Sequence, residues 1–179
     1  MKEISLNILD ITKNSVRAGA TKIKIELVTD EQGILTLTVT DNGCGMNDEM
    51  VRTVTDPFCT TRTTRKVGLG LPLLKLATEQ TGGNLSITSS TEKGKSGTVL
   101  RAVFDTKSID CMPMGDIVST VCILIAGSPE IDFEFSDVSP RGSVTLNTAE
   151  LRSVLGDVSL AESEVQKWIS EYLKEQYSQ

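Results

Sequence analysis

Apolar residues recur at three- and four-residue intervals over the first eighteen positions of the chain, which is the spacing of one face of a helix. The positions of this stripe are Ile4, Leu6, Ile8, Leu9, Ile11, Ser15 and Val16, all apolar except Ser15. Residues 4–18 are therefore predicted to form a helix with a broad buried face, ended by Gly19. Asp10 and Asn14 are four residues apart and share one side of this helix. Taken alone, they predict only a polar face in water.

The pattern then changes to strict alternation, which is typical of strands with one buried face. Residues 21–28 and 34–40 alternate in this way on either side of a turn at 30–33, so they are predicted to pair as a hairpin. Helical spacing of apolar residues and strand-like alternation of apolar and polar residues both recur between this hairpin and residue 106. The elements predicted there are helices at 47–54 and 71–81 and strands at 84–89 and 97–104.

Residues 107–179 contain a second set of predicted elements. The apolar run at 117–126 fits a helix or a buried strand by periodicity, and we favour a helix. The remaining predictions are a hairpin of strands at 131–135 and 143–146 and a helix at 149–155 capped by Thr148.

The last helical pattern, at residues 161–176, places two aromatic side chains beside an apolar stripe. Two alternatives follow for this helix. It packs on the preceding residues within a small subdomain, or it presents Trp168 and Tyr172 to a partner. Aromatic residues on a helix face are more often part of a core, which favours the first alternative. The residues predicted to share the face are Val165, Trp168, Ile169, Tyr172 and Leu173.

Length and composition exclude several classes of protein. The 179 residues, of which 39% are hydrophobic and 23% charged, fit one domain or one domain with an appendage. No apolar run reaches the length of a membrane span, and the N-terminus is unlike a secretory signal, so a cytoplasmic location is expected. The absence of histidine excludes Ser-His-Asp and Cys-His catalysis. The four cysteines lack CxxC spacing, so neither a zinc site nor a disulfide framework is expected.

Charge is distributed unevenly along the chain. Residues 1–106 carry 13 Lys and Arg against 12 Asp and Glu, a net charge of +1, and residues 107–179 carry 5 against 12, a net charge of -7. Neither part has the basic surface of a nucleic-acid-binding protein. The acidic part either meets a basic partner or is a solvated surface.

Three stretches carry candidate chemistry. Asp41–Met46 (DNGCGM) ends a predicted strand, and its glycines either form an ordinary turn or let a ligand approach the main chain. Residues 55–67 combine hydroxyl groups with basic side chains, as a mobile surface loop or a lid over phosphates would. Gly68–Leu71 immediately precedes a helix, where free N–H groups and the helix dipole favour an anion.

In their order along the chain, these stretches resemble the ATP-binding domain shared by gyrase, heat-shock chaperones, bacterial histidine kinases and MutL, the GHKL superfamily with the Bergerat fold. Each motif is weak alone, but four in order at suitable spacing form a specific signal over about residues 1–106. No Walker loop is present. The four motifs are Asp10–Arg17 (asparagine box), Asp41–Met46 (first glycine box), Asp56–Arg62 (phenylalanine box of histidine kinases) and Gly68–Leu71 (second glycine box), and Gly97-Thr98 follows as the late glycine–threonine element.

The resemblance implies that the chain binds ATP with Mg²⁺. Asn14 would coordinate Mg²⁺ through its side-chain oxygen, and Arg17 would face phosphate. Asp41 would accept a hydrogen bond from the adenine amino group, while Gly43 and Gly45 would let the chain pass close to the base. The other residues assigned to the site are Met46 and Phe58 of the boxes, Thr60, Thr61, Arg62 and Lys66 of the lid, Gly68, Leu69, Gly70 and Leu71 of the phosphate cradle, and Thr98.

Asp10 departs from the family pattern. In hydrolysing members, the residue four before the asparagine is usually a glutamate that activates the attacking water. Asp10 keeps the carboxylate but is shorter by roughly 1.5 Å, and general-base catalysis depends on reach before pKa. Two roles for Asp10 stay open: a catalytic base toward a water or substrate hydroxyl, or a residue that only orders the metal shell.

The resemblance implies an Mg·ATP-dependent protein kinase of the histidine-kinase-like type. Because the sequence contains no histidine, the phosphoacceptor is expected on a partner protein, as for the stand-alone anti-sigma-factor serine kinases in signal transduction. The alternatives are an ATP-driven conformational switch with slow hydrolysis and a non-catalytic ATP-binding module. Expected partners are therefore ATP and a protein phosphoacceptor or regulator, without nucleic acid or a membrane span, and a homodimer stays open.

The predicted fold class is α+β, a two-layer α/β sandwich of the Bergerat type with a mixed sheet and helices on one face. Helices 4–18, 47–54 and 71–81 are expected to cover the sheet, with ATP between helices and lid. The predicted division is a histidine-kinase-like ATP-binding domain at 1–106 and an acidic α+β extension at 107–179.

Overall fold

A computed structural model describes residues 3–56 and 70–179 of the chain. Within these ranges the helices and strands lie where the hydrophobic pattern predicts them, with differences at their ends. In chain order they are α1 (Ile4–Arg17), β1 (Lys22–Thr29), β2 (Ile34–Asp41), α2 (Asp48–Thr53), α3 (Gly70–Gln80), β3 (Leu85–Ser90), β4 (Gly97–Asp105), α4 (Ile117–Gly127), β5 (Asp132–Ser139), β6 (Gly142–Asn147), α5 (Thr148–Leu155) and α6 (Ser163–Tyr177).

The strands of the described ranges form one mixed sheet in the order β3-β4-β2-β1-β5-β6. β1 and β2 are the predicted antiparallel hairpin, and β5 and β6 are the second one. β1 also pairs in parallel with β5 along its whole length, from Lys22 opposite Asp132 to Val28 opposite Val138. The segment 107–179 therefore continues the sheet begun by the first hundred residues.

Alternation along each strand separates an apolar face from a polar face. On β1, Ile23, Ile25 and Leu27 are buried, whereas Lys24 and Glu26 point to the other side and pair with each other at 2.8 Å. α1 and α3 pack on the apolar face, α4 packs against both α1 and α6, and α6 contacts β6. The predicted fold class is confirmed. α2 differs from the prediction in one respect, because it buries none of its own residues.

The helix α4 confirms the helical interpretation of the apolar run. Its N-terminus is capped by Asp116, whose side chain accepts a hydrogen bond from the Ser119 N–H at 2.9 Å. Its apolar residues extend around the helix because α1 and α6 flank it. The preceding residues bind the start of α1, since the Ile4 and Ser5 N–H groups donate to the carbonyl oxygens of Pro113 and Met114. Across residues 3–56 and 70–179, no helix is both long enough and apolar enough to cross a membrane.

The cap of α5 lies one residue earlier than predicted. Asn147 caps the helix by accepting hydrogen bonds from the N–H groups of Ala149 and Glu150. Thr148 is fully buried instead, and its hydroxyl accepts a hydrogen bond from the Phe133 N–H at 2.8 Å. Both side-chain types are good caps, and the β5 backbone takes the threonine hydroxyl, which leaves the capping position to Asn147.

The helix α6 differs from the favoured sequence interpretation. Val165, Ile169 and Leu173 are buried as predicted, but Trp168 and Tyr172 remain 48% and 36% exposed. The two rings stack on each other, with centroids 5.0 Å apart and planes 11° apart. These two aromatic residues are therefore only partly covered by the core.

Candidate functional site

Asp41 lies at the end of β2, and hydrogen bonds hold both of its carboxylate oxygens. The Ser15 hydroxyl of α1 donates to Oδ2 at 2.5 Å, and the Gly43 N–H donates to Oδ1 at 2.9 Å. A carboxylate oxygen has more than one acceptor direction, so each oxygen can still accept from a ligand. The carboxylate is thus oriented by the helix on one side and by the glycine loop on the other.

Ser15 was missed as a functional candidate in the sequence. It occupies a position in the apolar stripe of α1 and is only 5% exposed. The sequence does contain a signal for Ser15, because a small residue with a hydroxyl group stands at a helix position whose spacing predicts burial. A buried hydroxyl requires a hydrogen-bond partner. For Ser15 this partner is the carboxylate of Asp41, which is distant in the sequence.

The glycines of the Asp41–Met46 loop are required by close packing. Gly45 has a φ of +71°, and a Cβ built there would lie 1.9 Å from the carbonyl oxygen of Ser90. A Cβ at Gly43 would lie 2.9 Å from the Cβ of Ala18. Real side chains do not fit at these distances, so the loop passes against α1 and β3 only as glycine.

The late glycine–threonine element lies beside Asp41 because of strand register. Thr98 is the partner of Asp41 in the β2–β4 pairing, and a Cβ at Gly97 would lie 2.1 Å from the Asp41 carbonyl oxygen. Thr98 Oγ1 lies 2.8 Å from the hydroxyl of Ser89, which also accepts from the Met46 N–H at 2.8 Å. The structure therefore brings Asp41, Met46 and Thr98 together, with Ser89, which was not predicted, as the connecting residue.

Asn42 binds neighbouring residues of the protein and is not part of the candidate site. Its side-chain oxygen accepts hydrogen bonds from the N–H groups of Thr21 and Lys22, both at 2.9 Å, and its amide group donates to the Thr21 hydroxyl. The loop is also tied to α1 by a hydrogen bond from the Cys44 N–H to the Ala18 carbonyl at 2.9 Å. These contacts anchor the loop at both ends.

The polar side of α1 carries the predicted metal and phosphate residues. Asp10, Asn14 and Arg17 are exposed, and Arg17 Nη1 donates to Asn14 Oδ1 at 3.2 Å. Asp10 lies beside the start of α3, since a Cβ at Gly70 would be 3.7 Å from the Asp10 Oδ2. A carboxylate at a helix N-terminus is favourably placed for the helix dipole. Asp10, Asn14 and Gly70 therefore border one region of the surface.

Leu71 has a different environment from Gly70. It is partly buried and packs against the core. Its side chain therefore contributes to holding α3 on the sheet. The other predicted site residues lie outside the described ranges: Phe58, Thr60, Thr61, Arg62, Lys66, Gly68 and Leu69.

The two groups of site residues are joined by α1. Asn14 and Ser15 are consecutive, with Asn14 exposed and Ser15 buried against Asp41. Asp41 can accept from a donor group of a ligand, and Asn14 can contact a cation bound to an anionic group of the same ligand. A molecule that makes both contacts would lie along the edge of this helix. The arrangement offers carboxylate acceptors at one end and the Asn14 amide oxygen with Arg17 at the other.

Comparisons with known proteins find related sequences and structures. Residues 2–108 match the family model described as histidine kinase-, DNA gyrase B-, and HSP90-like ATPase. The tetrathionate sensor histidine kinase TtrS of Salmonella typhimurium is 34% identical over 96 residues, covering 53% of this chain and 16% of TtrS. An NtrY-like sensor histidine kinase of Rickettsia conorii is 28% identical over 111 residues, covering 62% of this chain and 18% of that protein. The chain spans less than a fifth of the length of these curated relatives.

A solved structure matches more of the chain. The MutL ATPase domain of Aquifex aeolicus complexed with ADP has a TM-score of 0.56 at 16% identity, covering 87% of this chain and 68% of that one. The N-terminal domain of a DNA repair protein has a TM-score of 0.55 at 16% identity and covers 82% of this chain. At this identity the likeness concerns the fold, and it extends beyond residue 108.

Proposed function

The chain belongs to the family of histidine kinase-, DNA gyrase B- and HSP90-like ATPases, and from this premise we propose that it binds Mg·ATP and transfers the γ-phosphoryl group to a partner protein. The observation that carries the proposal is the pair of hydrogen bonds from Ser15 and Gly43 that orients Asp41. The similarity to sensor histidine kinases over the same residues supports the transfer.

Asp41 is proposed to recognise adenine. Its carboxylate accepts a hydrogen bond from the adenine amino group, and guanine, with a carbonyl oxygen at that position, offers no donor. The glycine loop supports this role indirectly, because its close packing on Ala18 and Ser90 holds the Gly43 N–H on the Asp41 carboxylate. Met46 and Thr98 lie beside Asp41 and complete the proposed base site.

The residues present fit a magnesium ion held together with phosphates. Asn14 offers a neutral side-chain oxygen on an exposed face, which suits a hard cation whose other ligands are phosphate oxygens and water. Arg17 lies at this oxygen and supplies a fixed positive charge to phosphate. Bound magnesium would neutralise charge on the phosphates. The N–H groups at Gly70 and Leu71 start α3 and are proposed to contact phosphate oxygens, together with the lid residues.

In the proposed transfer, the bond from the γ-phosphorus to the ADP oxygen breaks and a bond to the acceptor side chain forms. The proton of the acceptor passes to water, and ADP leaves with the electron pair of the broken bond. Phosphoryl transfer depends mainly on positioning and charge neutralisation, which Asn14 and Arg17 provide. A histidine acceptor cannot belong to these 179 residues, because they contain none.

The position of Asp10 favours a second candidate function, an ATP-driven switch with slow hydrolysis. Its exposed carboxylate lies beside Gly70 at the start of α3, on the same side of α1 as Asn14. A carboxylate there can accept a proton from an attacking water if that water lies within hydrogen-bond reach. Hydrolysis would then reset a nucleotide-dependent surface.

The test combines calorimetric binding of Mg·ATP with phosphate release on the same protein sample. Asp41→Asn replaces an acceptor oxygen by a donor, so we expect roughly 10- to 100-fold weaker binding. Asp157→Asn is the matched control, since Asp157 is exposed and distant in sequence from every site residue. Equal affinity of the Asp41→Asn and wild-type proteins would refute the proposed adenine site.

Turnover separates the two candidate functions. Binding without phosphate release argues against the switch and leaves transfer to a partner or a non-catalytic ATP-binding module, whereas steady release supports the switch. In the second case Asp10→Asn is expected to abolish release while leaving ATP affinity near that of the wild type. Phosphate release that persists in Asp10→Asn would eliminate Asp10 as the base.

A further inference from the structure

A groove of about 560 Å³ lies away from the nucleotide site, between the sheet and the last two helices. None of its lining residues belongs to the residues assigned to ATP or magnesium. Its floor comes from β1, β5 and β6, and its walls come from α5 and α6. The lining residues that carry the inference are Glu134, Glu150, Leu151, Val154, Trp168 and Tyr172.

The apolar part of the groove is unusually exposed. Val154 is 84% exposed, and the stacked rings of Trp168 and Tyr172 are 48% and 36% exposed. Tryptophan and tyrosine are the residue types that carry most binding energy when a partner covers them. The two rings already stack on each other, so a partner would contact their outer faces and the ring edges.

Acidic side chains surround the aromatic pair. Glu164, Glu171 and Glu175 are exposed on α6 at helical spacing from Trp168 and Tyr172. Glu150 adds a carboxylate from α5. The whole segment 107–179 carries 12 acidic against 5 basic residues. The charged residues that line the groove itself are Lys24, Glu134 and Glu150, so the negative charge lies mainly on the α6 carboxylates around it.

The nearby lysines neutralise only part of this charge. Lys22 pairs with Glu134 at 2.6 Å, Lys24 pairs with Glu26 at 2.8 Å, and Lys167 lies 3.9 Å from Glu171. In the described part of the chain, no ion pair neutralises Glu150, Glu164 or Glu175. Carboxylates next to an exposed aromatic stack thus remain available for a cationic group.

We propose that this groove is a docking site for a basic, arginine-bearing segment of a partner protein. A guanidinium group stacks on an aromatic face and pairs with carboxylates at the same time, whereas an ammonium group is a compact point charge. The apolar stem of the arginine would lie along Leu151 and Val154. The proposal does not rest on phosphoryl transfer, because the groove and the nucleotide site share no residue.

Trp168 provides a direct signal, because it is the only tryptophan in the chain. We would titrate the full chain with short acetylated and amidated glycine–serine peptides that contain two arginines, two lysines or two glutamines. A saturable change in tryptophan fluorescence is expected with the arginine peptide, a weaker one with lysine and none with glutamine. Added salt should weaken the binding. An equal response to the glutamine peptide, or no response to any peptide, would overturn the proposal.

Two matched variants test the location by calorimetry. Val154→Lys places a positive charge in the groove, and Ile109→Lys places one at a residue that is 98% exposed and does not line it. Because both positions are exposed, both variants should fold. Binding of the arginine peptide is expected to weaken about tenfold in Val154→Lys, from like-charge repulsion, and to stay unchanged in Ile109→Lys. Unchanged binding by Val154→Lys would exclude this groove.

The nucleotide site serves as an independent reference. Asp41→Asn should bind the arginine peptide with the affinity of the wild type, since Asp41 does not line the groove. A chain that fails to bind ATP but retains peptide binding would refute the proposed function and leave the docking site standing. The reverse result would refute only the docking site.

Discussion

At the scale of single residues, the contact between Ser15 and Asp41 connects two motifs that are 26 positions apart. Asp41 receives one hydrogen bond from within its own loop and one from α1. A carboxylate held by two donors loses little freedom when a ligand binds, which lowers the cost of ordering the site. Ser15 is therefore expected to act as a positioning residue for Asp41.

Ser15→Ala tests this role. The variant removes the hydroxyl donor, and a hydrogen bond to a charged group contributes about 1.5–3 kcal/mol. Since Asp41 keeps its bond from Gly43, we expect the lower end of that range, about tenfold weaker Mg·ATP binding by calorimetry. Ser5→Ala is the control, because Ser5 is also buried on α1 but its hydroxyl is bonded to Glu3. Equal losses in both variants would show a general effect on the helix.

At the scale of elements, α6 covers the free edge of β6. Gln176 satisfies the backbone of Thr145 in both directions: its side-chain oxygen accepts from the N–H at 3.0 Å, and its amide donates to the carbonyl at 3.1 Å. This contact satisfies one pair of the backbone groups that make an edge strand prone to pairing with another chain. The Tyr177 hydroxyl fixes the end of the helix by donating to Asp137 Oδ2 at 2.7 Å.

The Tyr177 contact predicts a dependence of stability on pH. Burial, and then the hydrogen bond to Asp137, raise the pKa of Tyr177 above its ordinary value of 10.0. A raised folded-state pKa contributes stability that is fully present below the unfolded-state pKa and is lost as the pH rises through the folded-state value. The unfolding free energy should therefore begin to fall above about pH 10.

Urea unfolding of the wild type and of Tyr177→Phe from neutral pH to pH 11 checks this expectation. The variant lacks the titrating phenol, so its stability should fall less steeply above pH 10. Tyr172→Phe removes the other tyrosine hydroxyl of α6 and should follow the wild type. Parallel curves for the wild type and Tyr177→Phe would contradict the assignment.

Asp137 has a consequence of the same sign at lower pH. Burial raises the pKa of its carboxyl, and the Tyr177 hydrogen bond only partly offsets that effect. A raised folded-state pKa in a carboxyl contributes stability at acidic pH that is lost as the pH rises through that value. Keeping Asp137 ionised in the folded state therefore costs electrostatic free energy, and the hydrogen bond from the Tyr177 hydroxyl reduces this cost.

At the scale of the whole molecule, the sheet joins the family-matching residues to the rest of the chain. β1, from the first part, lies between β2 and β5, and α4 packs against α1. The buried apolar residues of both parts form one cluster. We therefore propose that residues 107–179 unfold together with residues 1–106, and that the boundary at 106 marks the limit of the family motif.

Trp168 fluorescence and far-ultraviolet circular dichroism test the cooperativity of unfolding. The first reports on α6 and the second on the helices and strands of both parts, so a single shared midpoint is expected. Mg·ATP at about 100 times its dissociation constant should stabilise the chain by about 2.7 kcal/mol, and the Trp168 signal should shift with it. A Trp168 transition that nucleotide leaves in place would show that residues 107–179 unfold separately.

Much of the fold follows from local pattern. The period-two runs of β1 and β2, the helical stripe of α1 and the hairpin of β5 and β6 were predictable, because alternation decides which face of an element is buried. The family was predictable for a related reason. The close contacts with Ser90 and Ala18 require glycine at two positions of the loop. The carboxylate stands at the end of the preceding strand, so the spacing between it and the glycines is fixed and can be recognised in the sequence.

The sequence by itself therefore determined the elements, the family and the order of the nucleotide motifs, since each depends on residues close together in the chain. Only the tertiary structure decided which distant groups meet. It placed Ser15 on Asp41, β5 beside β1, and Trp168 and Tyr172 in an acidic groove. The physical reason is that periodicity shows which face of a helix or strand a residue lies on, but not which distant residue it contacts. Partners are set by sheet order and helix packing, which arise from the whole core at once.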